Sequence, residues 1–150
     1  MELTVLMGHA PATVDDKGRL KVPVDFRKLI EEKYGRDCFI TSQDGARALI
    51  YPMPVWLDFT ERLANVPSTS LAKQKLLERV NYYGQASSLD AQGRLLVPAV
   101  LRDVAAIKDD VVVIGNQDHL IVWNEERIQK RLSESSMTPE DYKELELHGV

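Results

Sequence analysis

The chain has a single cysteine, Cys38, among its 150 residues. An intrachain disulfide is therefore excluded, which fits a reducing compartment. No apolar run approaches the ~18 residues that a membrane-spanning helix needs. The opening segment, MELTVLMGHAPATV, lacks the basic start and long apolar core of a secretory signal. The expected location is the cytoplasm. Catalytic chemistry is equally sparse. His9, His119 and His148 are scattered without metal-ligand spacing, and no Gly-rich phosphate loop occurs. Cys38 has no histidine close to it in sequence, and Ser87 and Ser88 lack a basic neighbour. These absences argue against an enzyme, a resident metal or a cofactor. A surplus of positive charge is missing too. The 19 Lys and Arg face 23 Asp and Glu, a net charge of −4. Such a balance excludes a generic nucleic-acid coat, because bulk negative charge repels phosphate.

What is present begins with a composition that is 44% hydrophobic and 28% charged, enough apolar material for a core. The charge is uneven. Residues 15–36 carry seven Lys or Arg against five Asp or Glu, whereas residues 124–150 carry four against seven. The acidity is therefore concentrated at the C-terminal end, and a basic patch can exist elsewhere.

The strongest signal is an internal repeat. DDKGRLKVP at 15–23 returns as DAQGRLLVP at 90–98, half a chain later. The pair FR at 26–27 is answered by LR at 101–102, and CFI at 38–40 by VVI at 112–114. LIYP at 49–52 is paralleled by LIVW at 120–123. Each copy reads as a strand, a tight turn, a second strand and a short helix opened by Pro23 or Pro98. Phe26, Leu29 and Ile30 make an apolar stripe on the first helix, and Val100, Leu101 and Val104 a similar one on the second. Two short strands follow in each copy, 38–42 with 47–51 and 111–115 with 119–123, joined by turn-rich QDGA and NQDH. Helices are expected at 54–64, 70–82, 125–133 and 139–147, the last capped by TPED at 138–141. Trp56 and Trp123 follow the two sheet units at matching places and are expected in the core. One four-stranded unit buries too little area to be stable alone, so the two halves should share a core. The expected fold is a mixed, β-rich α+β barrel with pseudo-twofold symmetry and helices at its margins. The divisions are 7–54 for the first unit, 55–82 for a helical connector, 83–126 for the second unit and 127–150 for a C-terminal helical segment.

Much of the repeated turn is architecture. Asp at the first position and Gly at the fourth are preferred in a type I turn, and the Gly then supplies positive φ for a hairpin bulge. That accounts for Asp15, Gly18, Asp90 and Gly93. Alternate strand residues share a face, so Leu20 and Val22 point inward while Lys17, Arg19 and Lys21 form a cationic stripe outside. In the second copy the same face holds Gln92, Arg94 and Leu96. A two-stranded ribbon fits the major groove. Lys17, Arg19 and Lys21 are therefore the candidate DNA contacts, with Arg19 the candidate for base edges and Arg27 for the backbone. Arg94 is assigned to the barrel or to a subunit interface. The acidic C-terminal helix is expected on the side away from DNA.

With these residues laid out, the chain resembles the MraZ family of bacterial transcription regulators, built from two tandem SpoVT/AbrB-type units. The resemblance covers nearly the whole chain. It rests on Gly8 seven residues before Asp15, on DKGR followed by Pro23 and FR, and on LIYPMPVW at 49–56. The second half adds LDAQGRLLVP, LR, VVVIG at 111–115 and the VW pair at 122–123. The resemblance implies a swapped-hairpin barrel and ring-shaped homo-oligomers. It implies binding to double-stranded DNA at direct repeats upstream of the cell-division and cell-wall gene cluster, with repression of that cluster and of its own gene, at the nucleoid. It also matches Asp15 with Arg19, and Asp90 with Arg94, to the family's paired Asp-x-x-x-Arg motifs, and Lys17 to the usual lysine of the first turn. Two other classes compete: an AbrB-type antitoxin, which usually has one unit and a disordered tail, and a ring-forming protein-interaction module without a DNA role.

Overall fold

A computed structural model describes residues 3–150. The first half runs β1 (His9–Val14), β2 (Arg19–Lys21), α1 (Val24–Lys33), β3 (Asp37–Thr41) and β4 (Ala48–Pro52). Two helices, α2 (Met53–Ala64) and α3 (Leu71–Tyr82), lead to the second half. That half repeats the order as β5 (Gln85–Ser88), β6 (Arg94–Leu96), α4 (Ala99–Val104), β7 (Asp109–Asn116) and β8 (His119–Asn124). Helices α5 (Glu125–Glu134) and α6 (Pro139–Leu147) close the chain. Every expected element is present, with ends shifted by at most a few residues. Pro23 and Pro98 stand one place earlier than expected, as the residues that cap α1 and α4 rather than the first within them.

All eight strands form one antiparallel sheet in the order β5-β3-β4-β8-β7-β1-β2-β6. Its two ends approach each other, and the backbone N–H of Leu96 on β6 donates to Ser87 Oγ on β5 at 3.0 Å. The sheet is thus a nearly closed barrel. Pairing crosses between halves: β1 lies against β7, with His9 opposite Ile114, and β5 lies against β3, with Asp37 opposite Ser88. The first strand of each half is completed by the other half, which is the swapped-hairpin architecture. The pseudo-twofold axis passes through β2 and β6, where Leu20 faces Leu95, and between β4 and β8.

Alternation along the strands sets the core. Leu20, Val22, Leu95 and Val97 are buried from the two hairpins, and Ile40, Ile50, Val113, Leu120 and Val122 from the remaining strands. Phe26, Leu29 and Ile30 fill the same core from α1, as their spacing predicts. The second helix departs from its expected stripe. Val104 is 44% exposed, because Leu101 and Ala105, one helical turn apart, take the inward face of α4, and Ile107 beyond it is buried as well. Trp56 packs against Phe39, with ring centroids 4.7 Å apart, and the Trp123 ring has the guanidinium groups of Arg47 and Arg131 at 5.7 and 5.6 Å from its centroid. Helix α3 is tied to the sheet by the buried Thr41 hydroxyl, which donates to the Val80 carbonyl at 2.6 Å. Helix α6 starts on the capping box read from TPED: the Asp141 N–H donates to Thr138 Oγ1, and the Thr138 N–H to the Asp141 carboxylate. Its residues are exposed along its whole length.

Candidate nucleic-acid interface

The two repeated turns have the same internal wiring. In the first, the Asp15 carboxylate accepts the N–H groups of Lys17 at 3.0 Å and Arg19 at 2.8 Å, and its other oxygen accepts Arg19 Nε at 2.8 Å. In the second, Asp90 accepts the N–H groups of Gln92 at 2.9 Å and Arg94 at 2.8 Å, and Arg94 Nε at 2.8 Å. Gly18 and Gly93 close the turns at φ of 83° and 75°, a region that only glycine enters without penalty. The turn therefore uses the arginine as well as the aspartate, a role that the turn type alone does not call for. By taking only Nε, each carboxylate fixes the guanidinium and leaves both Nη groups without a hydrogen-bond partner among the described residues. A forked pair of donors, held in place and aimed outward, is what bidentate contact to a guanine edge requires.

The backbone N–H of Arg19 holds the Asp15 carboxyl below the usual carboxylate range; burial opposes this, and the Arg19 guanidinium adds to the lowering. Asp90 is lowered in the same way by the N–H of Arg94. A carboxylate whose folded pKa is depressed contributes stability that is fully present above its unfolded value and lost as pH falls through the folded one. The thermal midpoint should therefore stay level from neutrality to about pH 5 and decline below about pH 4. An Asp15→Asn, Asp90→Asn double variant should start lower and show a weaker decline, as read by thermal unfolding across that range.

Each turn is braced by the opposite half. A Cβ added at Gly18 would lie 2.5 Å from the Arg102 guanidinium carbon, and one at Gly93 would lie 2.6 Å from Arg27 Cδ. Arg27 donates from Nη2 to the Ala91 carbonyl at 3.2 Å, and its Nε pairs with Glu31 at 3.1 Å. The Val22 N–H donates to the Gly93 carbonyl and the Val97 N–H to that of Gly18, so the crossing is reciprocal. Arg27, offered by the sequence as a DNA-backbone contact, is here engaged with the second turn. The FR and LR pairs of the repeat were visible, and they are the signal that could have revealed this bracing.

The register of β2 on β6 decides which cations share a surface. Arg19 stands opposite Leu96, and Lys21 opposite Arg94. Leu20 and Leu95 between them have no exposed surface, so the flanking residues of both strands point outward together. Lys17 and Lys21 are exposed, and Arg19 and Arg94 half-buried. The sequence assigns Arg94 to the barrel or to a subunit interface; the sheet sets it beside Lys21 on the same face. Only the cross-half pairing reveals this.

Elsewhere the side chains offer little reactive chemistry. Burial, followed by the neighbouring Asp37 charge, pushes the Cys38 thiol up to about 12, so it stays protonated near neutrality. Among the described residues no group of three or more His, Cys, Asp and Glu is arranged to hold a metal ion, and no helix is long and apolar enough to cross a membrane.

A duplicated, cross-paired α+β barrel, with two Asp-Arg turns flanking a basic β-pair, defines a protein built from two copies of one β-rich unit. Comparison with known proteins agrees across both halves. The family model "MraZ protein, putative antitoxin-like" matches residues 5–79 and 84–146, and the chain belongs to the MraZ family. It is 47% identical to "Transcriptional regulator MraZ" of Acidobacterium capsulatum over 95% of this chain and 98% of that protein. With the protein of the same name from Koribacter versatilis the identity is 43% over the same shares, and with that from Limosilactobacillus fermentum it is 37% over 82% and 83%.

Proposed function

We propose that this chain is a sequence-specific, DNA-binding transcriptional regulator. The observation that carries the reading is the β2–β6 register, which sets Arg19, Lys21 and Arg94 on one outward face of an acidic protein, with exposed Lys17 in the turn that leads into it. The naming of its relatives as transcriptional regulators supports it. The two Asp-Arg turns present the forked donors, and Lys17 and Lys21 supply charge toward phosphates. Arg27 acts behind them by holding the second turn.

One such face makes few phosphate contacts, so a single subunit binds weakly and with a shallow salt dependence. A ring-like homo-oligomer repairs this, because later contacts become intramolecular and spaced repeats are engaged together. Exposed Leu132, Met137, Tyr142 and Leu145 on and around the C-terminal helices support self-association. The targets are direct repeats upstream of the cell-division and cell-wall gene cluster, where the protein represses the cluster and its own gene. Footprinting on the DNA just upstream of its own gene tests this. Expected are short protected segments at regular spacing, surviving competitor DNA at moderate salt. Uniform weak protection, removed by competitor, would instead favour a protein-interaction module.

A further inference from the structure

The basic face is symmetric in its arginines and asymmetric around them. The axis between Leu20 and Leu95 exchanges Arg19 with Arg94, Lys21 with Leu96 and Lys17 with Gln92. The two ends therefore differ. One carries Lys17, Arg19 and Leu96, the other Gln92, Arg94 and Lys21. Two cations stand at each end, and the first also carries exposed Asp16 where the second has Ala91. The ends differ further in an apolar group. Leu96 is 42% exposed and stands directly opposite Arg19. Its neighbour Leu95 is wholly buried, so the core does not need Leu96, and its backbone N–H is already satisfied by Ser87.

We infer that Leu96 is a specificity-determining residue that contacts the C5-methyl group of a thymine next to the base read by Arg19. The inference rests on the DNA-binding reading above and sharpens it. The thymine methyl is the one apolar feature that base pairs present in the major groove. An aliphatic side chain beside an oriented guanidinium can recognise it without a hydrogen bond. Because the opposite end offers lysine at the equivalent place, the protomer seats on the duplex in one direction only. A symmetric face would accept either orientation. A face with distinct ends selects repeats that run head to tail.

The test uses the full-length protein and the duplex defined by the footprint, with each thymine replaced singly by deoxyuridine, which removes only the methyl. In the wild-type chain, one thymine per repeat should lower affinity by about fourfold, the worth of one buried methyl-sized group. In Leu96→Ala the same replacement should cost nothing further, while oligomer mass and thermal midpoint match the wild type. The proposal is overturned if no thymine matters to the wild type, or if Leu96→Ala retains the full loss at the same thymine. It is also overturned, together with the DNA-binding reading, if the wild-type chain fails to retard the duplex at all. Retarded DNA with no methyl effect removes the role of Leu96 alone.

Discussion

Arg19→Ala is expected to abolish retardation of the repeat-bearing duplex while leaving oligomer mass and the unfolding midpoint close to those of the wild type. The loss is large because the contact is multiplied. A bidentate arginine contact is worth ~1–3 kcal/mol, or roughly five- to 150-fold. In a ring that engages several repeats the deficit recurs at every site and removes the gain from linkage. The fold is spared because the pair that Arg19 makes with Asp15 is only partly buried, and such surface pairs contribute ~0–1 kcal/mol. The Asp15 carboxylate also keeps its bonds to the Lys17 and Arg19 N–H groups, which need no arginine side chain. Arg94→Ala should weaken binding comparably, since Arg94 shares the face and is held by the same geometry. Gel retardation and light scattering on both variants check this. Binding that survives Arg94→Ala intact would make the second half scaffold alone, as the sequence first suggested.

The second large effect concerns the inward side of the same two strands. Leu20→Ala and Leu95→Ala are each expected to lower stability by ~2–5 kcal/mol. Both side chains are completely buried and meet on the pseudo-twofold axis, where each half completes the other. A total stability of ~5–15 kcal/mol leaves little margin for such a loss. The helices also depend on this core, so unfolding should be cooperative across both halves rather than confined to one. Denaturant titration followed by circular dichroism reads the midpoint directly. One residue further along, Leu96→Ala should stay within ~0.5 kcal/mol of the wild type, as substitutions at exposed positions do. If Leu95→Ala unfolded like the wild type, the two halves would not share a core in the way their pairing indicates.

The contrast between Leu95 and Leu96 shows how far the sequence could be read. Alternation with a period of two tells which side of a strand faces inward, so the burial of Leu20, Val22, Leu95 and Val97 was legible. Turn chemistry was legible at Asp15, Gly18, Asp90 and Gly93, and helix caps at Thr138 and Pro139. The stripe of α4 departs from expectation at Val104, because Leu101 and Ala105, four residues apart, face the core and leave Val104 beside them on the exposed side.

The sequence alone determined the duplication and the family resemblance, which need only matching letters, and the order and type of the elements and the cationic first hairpin, which depend on neighbours a few residues apart. The tertiary structure decided which half completes which hairpin. It carried Arg94 to Lys21, and turned Arg27 toward Gly93 and Arg102 toward Gly18. Local periodicity fixes the face a side chain takes, but a strand's partner is chosen by the backbone hydrogen bonds and shared core that segments far apart in the chain can make only after they meet. The basic face exists only in that assembled register.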